Sequence, residues 1–388
     1  MNQKEDAFLN FDEGISTKHT RLAYHWALKR FMVFAEFTSY DDTVKLPLDE
    51  INKKIKDFIR YLRNKPDEGI DYEKEKKSKP LNLATNTVKL NLCGVLFFFE
   101  MNDVLLNKKR LNKMAIPNDE DVKKKKEIKA GKLPYTTEEI KRLLGATKKL
   151  RTKALIHFFT STGARPAVIY DPFLRMKHLE EMPHGCKSVH LYSDSNEAYY
   201  AFLTPEASIA LEDYHNERKQ NGEIFTAETP LFTVIIRPNK KTKEIIVKPM
   251  GFQSLKHPIK MAIKLAAIER KRINNKTDKG QFYGFRKRFN TILKSNNNVN
   301  RNIAEKLIGH KNGLDGVYLQ PTKDQMFAEF YKAVPDLMID QSSKNTIEIQ
   351  ELKEKNESLI EKTSRINELE KTVEKLRESM LSTMVRVG

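Results

Sequence analysis

Only two cysteines, Cys93 and Cys186, occur in the 388-residue chain, which excludes a disulfide framework and points to a reducing, cytoplasmic setting. Long hydrophobic runs are also missing. The longest, Leu92 to Phe99, is interrupted by Gly94 and bounded by Lys89 and Glu100, far short of the roughly 20 residues a membrane helix needs. The opening Met1 to Asp6 carries no basic region followed by an apolar stretch, which argues against the usual secretory signal. No G-x-x-x-x-G-K loop followed by Ser or Thr occurs, which argues against an ATP-driven helicase or transposition regulator. His178, His184 and His190 lie near Cys186 but follow no zinc-ligand spacing such as C-x-x-C or H-E-x-x-H, so metal chemistry is not expected.

What the chain does have is length and positive charge. At roughly 100–200 residues per domain, 388 residues suffice for two or three domains with real cores. Seventy Lys and Arg against 52 Asp and Glu leave a net charge of +18, an electrostatic footprint suited to a polyanion such as nucleic acid. Ribosomal and membrane-surface proteins share such a balance, but no amphipathic membrane anchor is evident.

Hydrophobic periodicity organises the chain into blocks. Ser16 to Phe37 places Tyr24, Leu28, Phe31 and Ala35 at helical spacing behind the capping candidates Ser16 and Thr17. A second helix is predicted over Leu48–Leu62, with Ile51, Ile55, Phe58, Ile59 and Leu62 on one face, and a third over about Asn86–Asn102. The charged stretch Asn64–Pro80, with Pro66, Gly69 and Pro80, reads as a loop. An all-helical domain over 1–116 follows. Residues 117–134 then run through Asp119 to Asp121 and Lys123 to Lys126 with almost nothing to bury; this is a linker, either a solvated tether or a strap along a phosphate backbone. A Thr-x-x-Glu capping box at Thr136–Glu139, ahead of Ile140, Leu143 and Leu144, opens a second domain over 135–340. Within it, Ser188–Thr204 has the composition of a hairpin around Ser193–Asn196, and a further hairpin is predicted over Leu231–Val247 around Pro238–Thr242. From Ile349, the residues Leu352, Leu359, Ile366, Val373 and Met380 recur every seven positions; the companion positions are Lys355 and Lys362, then Leu369 and Leu376. That is a coiled-coil seam within 345–388, strongest toward its C-terminal end, suited to self-association, a partner helix or docking on the same chain. The fold class is therefore mainly α (α+β), helix-rich with a small antiparallel sheet.

Three clusters carry the chemistry: Thr162-Gly163-Ala164-Arg165-Pro166, Tyr283-Gly284-Phe285-Arg286, and Leu307-Ile308-Gly309-His310 followed by Tyr318. In this order they resemble the tyrosine recombinase family of lambda-integrase type, whose pattern is T-G-x-R, H-x-x-R, L-G-H and a nucleophilic tyrosine eight to ten residues on. The resemblance covers about residues 16–338, and the run Gly309–Thr322 looks most like archaeal members. It implies a helical core-binding domain and a catalytic domain that clamp double-stranded DNA, and several protomers acting together as a dimer or tetramer on the DNA of a nucleoid. It implies site-specific recombination, as in integrating or excising a mobile element or resolving dimers.

The residue types suit that chemistry. Transesterification of a phosphodiester builds negative charge on the non-bridging oxygens, which preorganised guanidiniums stabilise. Arg165 and Arg286 would supply them, each with a planar fork matched to phosphate. A phenol is a weak nucleophile near pH 7 because its pKa is about 10. By resemblance, Tyr318 would form a 3′-phosphotyrosyl link and release a 5′-hydroxyl with neither metal nor nucleotide cofactor, while His310 would assist at the phosphate or with the proton.

Three departures stand against the family pattern. Tyr283 occupies the place of the first histidine in H-x-x-R; its hydroxyl can still donate to a phosphate oxygen, and hairpin telomere resolvases, distant members, carry tyrosine there too. The turn Ser193–Asn196 lacks the family's general-acid lysine, for which Lys187 is the nearest candidate. Val168 stands where an acidic residue usually orients the first arginine. A catalytically eroded DNA-binding protein of the same fold and a type IB topoisomerase-like relaxing enzyme are the alternatives.

Overall fold

A computed structural model describes residues 6–64, 74, 78–116, 133–236, 246–273, 276–310 and 318–387. Most of the loop expected over Asn64–Pro80, nearly all of the linker over 117–134, and the Pro238–Thr242 turn lie outside the described residues. The chain divides into two units, Met1–Ile128 and Lys129–Gly388.

Six described helices build the first unit: α1 (Asp6–Glu13), α2 (Lys18–Ala35), α3 (Tyr40–Lys45), α4 (Leu48–Arg63), α5 (Thr85–Glu100) and α6 (Lys108–Met114). The Thr17 hydroxyl caps α2 by accepting from the Thr20 amide at 3.2 Å, which satisfies one of the orphan donors at a helix start. Ile51, Ile55, Phe58, Ile59 and Leu62 of α4 are buried, as their spacing predicts. Gly94, the break in the longest apolar run, is where α5 crosses α2: a Cβ there would sit 2.8 Å from the Ala27 Cβ and 3.1 Å from the Tyr24 backbone. Phe31 lies at the centre, edge-on to Phe58 at 5.3 Å and to Phe99 at 6.1 Å. Such pairs add to the burial of their rings.

The second unit begins with α7 (Thr137–Gly145) and α8 (Leu150–Thr162). The capping box is formed in both directions, Glu139 N–H to Thr136 Oγ1 at 3.1 Å and Thr136 N–H to Glu139 Oε2 at 3.0 Å. Leu155, Ile156, Phe158 and Phe159 are all buried, so α8 is an interior helix rather than an amphipathic surface one. It is followed by an antiparallel sheet of β1 (Leu179–Glu181), β2 (Lys187–Leu191) and β3 (Tyr199–Leu203), in that order, with Val189 opposite Leu179 and Ala201. The expected hairpin is β2–β3; β1, an addition at its edge, was not foreseen. After α9 (Pro205–Gln220), the second hairpin pairs β4 (Thr233–Ile236) with β5 (Ile246–Pro249). Next come α10 (Phe252–Leu265), a short β6–β7 pair (Arg272–Ile273 with Lys276–Thr277), α11 (Tyr283–Ser295), α12 (Arg301–Leu307), α13 (Lys323–Tyr331), α14 (Val334–Leu337) and the 47-residue α15 (Gln341–Val387).

Buried Arg288 and half-buried Glu206 anchor the C-terminal helices. Arg288 donates from Nη1 to the Leu337 carbonyl at 3.2 Å and from Nη2 to Thr137 Oγ1 at 3.1 Å and the Asp336 carbonyl at 3.2 Å. Glu206 accepts the Ile339 and Asp340 amides at 2.9 and 2.7 Å, fixing the entry to α15. Beyond this foot, Leu352, Leu359, Ile366, Leu369, Val373 and Leu376 are exposed. No described helix is long and apolar enough to cross a membrane.

Candidate active site

Two left-handed glycine turns and one helix face assemble the site. Gly163, at φ +57°, ends α8, its amide bonded to the Phe159 carbonyl at 3.0 Å, and Arg165 follows two residues on. A Cβ at Gly163 would meet the Phe289 ring at 2.7 Å, so both backbone sign and space demand glycine. Gly309, at φ +67°, turns the chain after α12 and delivers His310. There a Cβ would fall 2.5 Å from the Tyr199 ring.

Arg286, on α11, joins the two turns. Its Nη1 donates to the Gly163 carbonyl at 2.8 Å, and its Nη2 donates to the Ile308 carbonyl at 2.8 Å and to His310 Nε2 at 2.9 Å. Arg286 is 8% exposed, and among the described residues no carboxylate pairs with it. Burial lowers its pKa from the ordinary value, the Tyr199 phenol opposes that, and the like charge of Arg165 adds to the lowering. Arg165 itself is half-buried, and its side chain makes no hydrogen bond or ion pair among the described residues. A buried guanidinium with a second guanidinium acting on it and no counter-ion is costly unless an anion completes the site. Three of the five N–H groups of Arg286 are engaged by Gly163, Ile308 and His310.

The other candidates fall into two groups. Tyr283 opens α11, one turn before Arg286, is 55% exposed and acts electrostatically on that guanidinium. Arg165, Tyr283, Arg286 and His310 are thus brought together. Tyr318 is 83% exposed, and no contact among the described residues joins it to the cluster. Lys187 is the first residue of β2; its buried ammonium is bonded to Glu181 and, at 2.9 Å, to Glu212. Burial would lower its pKa, but the hydrogen bonds it donates to Glu181 and Glu212 outweigh that and raise it. In this arrangement the ammonium of Lys187 links β2 to Glu181 of β1 and Glu212 of α9.

The structure adds residues that spacing did not single out. Tyr199, on β3, sets a buried hydroxyl beside Arg286, and burial raises its pKa to about 12, against the opposing charge of Arg286. Tyr192, at the end of the β2–β3 turn's first arm and at φ +53°, is raised by burial and lowered by Arg165. Both read in the sequence only as strand residues. Glu305 is the third addition, bonded to His310 Nδ1 at 2.5 Å.

No family model matches the sequence, and no curated protein matches it. Among solved structures, the chain is similar to the XerA recombinase at 15% identity and a TM-score of 0.35, covering 84% of this chain and 96% of that one. It is similar to the XerH site-specific recombinase bound to palindromic difH substrate in a post-cleavage complex, at 15% identity and a TM-score of 0.46, covering 75% and 72%. The integrase from mycobacterium phage Brujita matches at 14% identity and a TM-score of 0.37, covering 84% and 90%.

Proposed function

We propose that the chain is a site-specific DNA recombinase of the tyrosine type, acting on nucleoid DNA and most like archaeal integrases. The observation that carries this reading is the convergence of Arg165, buried Arg286 and His310 with, among the described residues, no carboxylate paired with either guanidinium. A phosphodiester supplies the missing anion, and the charge that develops in its five-coordinate transition state strengthens the interaction where rate is gained. Tyr318 Oη attacks phosphorus, the P–O5′ bond breaks, and a 3′-phosphotyrosyl link and a 5′-hydroxyl result. The phenol proton passes to His310 Nε2 or to solvent, and the departing 5′ oxygen takes up a proton. Tyr283 donates its hydroxyl to a phosphate oxygen. The net charge of +18 supports duplex binding, and the exposed seam of α15 supports association of several protomers.

A second reading, a DNA-binding protein of the same fold whose chemistry has eroded, is favoured by the pairing of Lys187 with Glu181 and Glu212. Incubation with a nicked suicide duplex, denaturation and a search for a covalent protein–DNA band separates the two. The recombinase reading requires the band; DNA binding without any band would leave the eroded protein.

A further inference from the structure

We propose that Glu305 is a positioning residue: it holds the proton on Nδ1 of His310 and so presents the Nε2 lone pair to the arginine pair. The consequence for chemistry rests on the recombinase reading; the tautomer itself does not.

The argument starts in the backbone. Gly309 in the left-handed region ends α12 in a Schellman turn, with His310 N–H bonded to the Glu305 carbonyl at 3.0 Å and Gly309 N–H to the Lys306 carbonyl at 2.9 Å. That turn sets the third residue from the helix end beside the second residue after it, a place ordinarily taken by an apolar contact. Here the pair is Glu305 and His310, and their side chains meet at 2.5 Å through Oε2 and Nδ1. The other oxygen of Glu305 is bonded to Lys294 of α11.

The partners then determine the tautomer. Burial alone would raise the Glu305 pKa, but the hydrogen bonds from Lys294 and His310 lower it below the ordinary carboxylate value, so Glu305 is ionised and can only accept. Arginine can only donate, and Arg286 Nη2 lies 2.9 Å from His310 Nε2. One neighbour accepts and the other donates, so Nδ1 carries the hydrogen and Nε2 the lone pair. A carboxylate that orients an imidazole in this way fixes both ring rotation and tautomer. The ring is then ready to receive a proton on the side facing the phosphate site.

The test compares Glu305→Gln with Lys294→Gln in the full chain. Nitrogen-15 NMR of labelled histidine, without DNA, should show His310 protonated on Nδ1 in the wild type and in Lys294→Gln. In Glu305→Gln, whose amide can either accept from Nδ1 or donate to it, the ring is no longer held by an obligate acceptor and an Nε2-protonated form should become populated beside the Nδ1-protonated one. On the suicide duplex at saturating protein, Glu305→Gln should form adduct on the order of 10- to 100-fold more slowly, the usual loss when a histidine's orienting partner is replaced, with DNA affinity within about twofold. Lys294→Gln should stay within a few-fold of wild type in rate. An unchanged tautomer in Glu305→Gln, an unchanged rate, or an equal loss in Lys294→Gln would overturn the proposal, the last by making the ion pair a mere staple between α11 and α12. A wild-type protein with the expected tautomer but no adduct would instead sink the recombinase reading and, with it, the chemical role of Glu305.

Discussion

Arg286 is 8% exposed and engages three N–H donors with Gly163, Ile308 and His310, whereas Tyr318 is 83% exposed and touches none of these groups among the described residues. The charge-stabilising half of the site is therefore built into the core, through two glycine turns and a buried guanidinium. Tyr318, the proposed nucleophile, stands outside that core. Preorganised donors lower a barrier because they need no rearrangement as charge develops, and a desolvated cation is the costly part to prepare in advance. An attacking phenol needs only to reach the phosphorus once DNA is present. The difference teaches that fold stability and chemistry are coupled at Arg286 and separable at Tyr318.

The contrast breaks most sharply at the proposed nucleophile. Tyr318→Phe should abolish the covalent adduct while leaving DNA affinity and thermal stability near wild type, read by denaturing gel, binding titration and melting curves; an adduct that persists would move the nucleophile elsewhere. Next comes the arginine pair. Arg165→Ala and Arg286→Ala should each slow adduct formation by at least ~10²-fold, the scale for losing one preorganised donor. Only Arg286→Ala should also destabilise the fold, by about 1–3 kcal/mol, because it strands the Gly163 and Ile308 carbonyls. Equal stability of the two variants in urea would erase the distinction between them.

Histidines sharpen the same contrast at smaller scale. His215, 5% exposed, faces the Leu231 carbonyl at 3.1 Å through Nε2. Burial lowers its pKa from 6.5 to about 4, against the opposing hydrogen bond to Leu231. The unfolded chain takes up a proton on this group near pH 6.5 and the folded chain near 4, so its contribution to stability is fully present above pH 6.5 and is lost as pH falls toward 4. Urea unfolding at pH 7 and pH 5 should show that loss in the wild type and a shallower one in His215→Gln. The smallest effect on chemistry belongs to α15: removing residues 345–388 should leave single-site cleavage near normal while light scattering shows weaker self-association. Unchanged mass would leave the exposed Leu352–Leu376 seam to another partner.

The sequence carried the large helices because their burial is periodic: α4 buries the five residues its spacing singled out, and the capping box at Thr136 has a purely local signature. It did not carry β1, three residues whose strand state depends on pairing with β2, or the short α1, α3 and α6, each of eight residues or fewer, where packing outweighs propensity. At the site, the glycine turns and arginines were legible as motifs. Glu305 was not, since Glu-x-x-x-Gly-His becomes a contact only when Gly309 takes a positive φ. The pairing of Lys187 was not legible either, because proximity in sequence to a turn says nothing about Glu212, 25 positions away on another element.

The most direct measurement is the rate of adduct formation on suicide duplexes with an ordinary phosphate or a neutral methylphosphonate at the scissile position, in wild type, Arg165→Ala and Arg286→Ala. If the guanidiniums act on the non-bridging oxygens, removing one oxygen's charge should shrink the deficit of at least one variant from ~10²-fold or more to within about tenfold. Deficits of the same size on both substrates would contradict an arginine pair built to hold a phosphate.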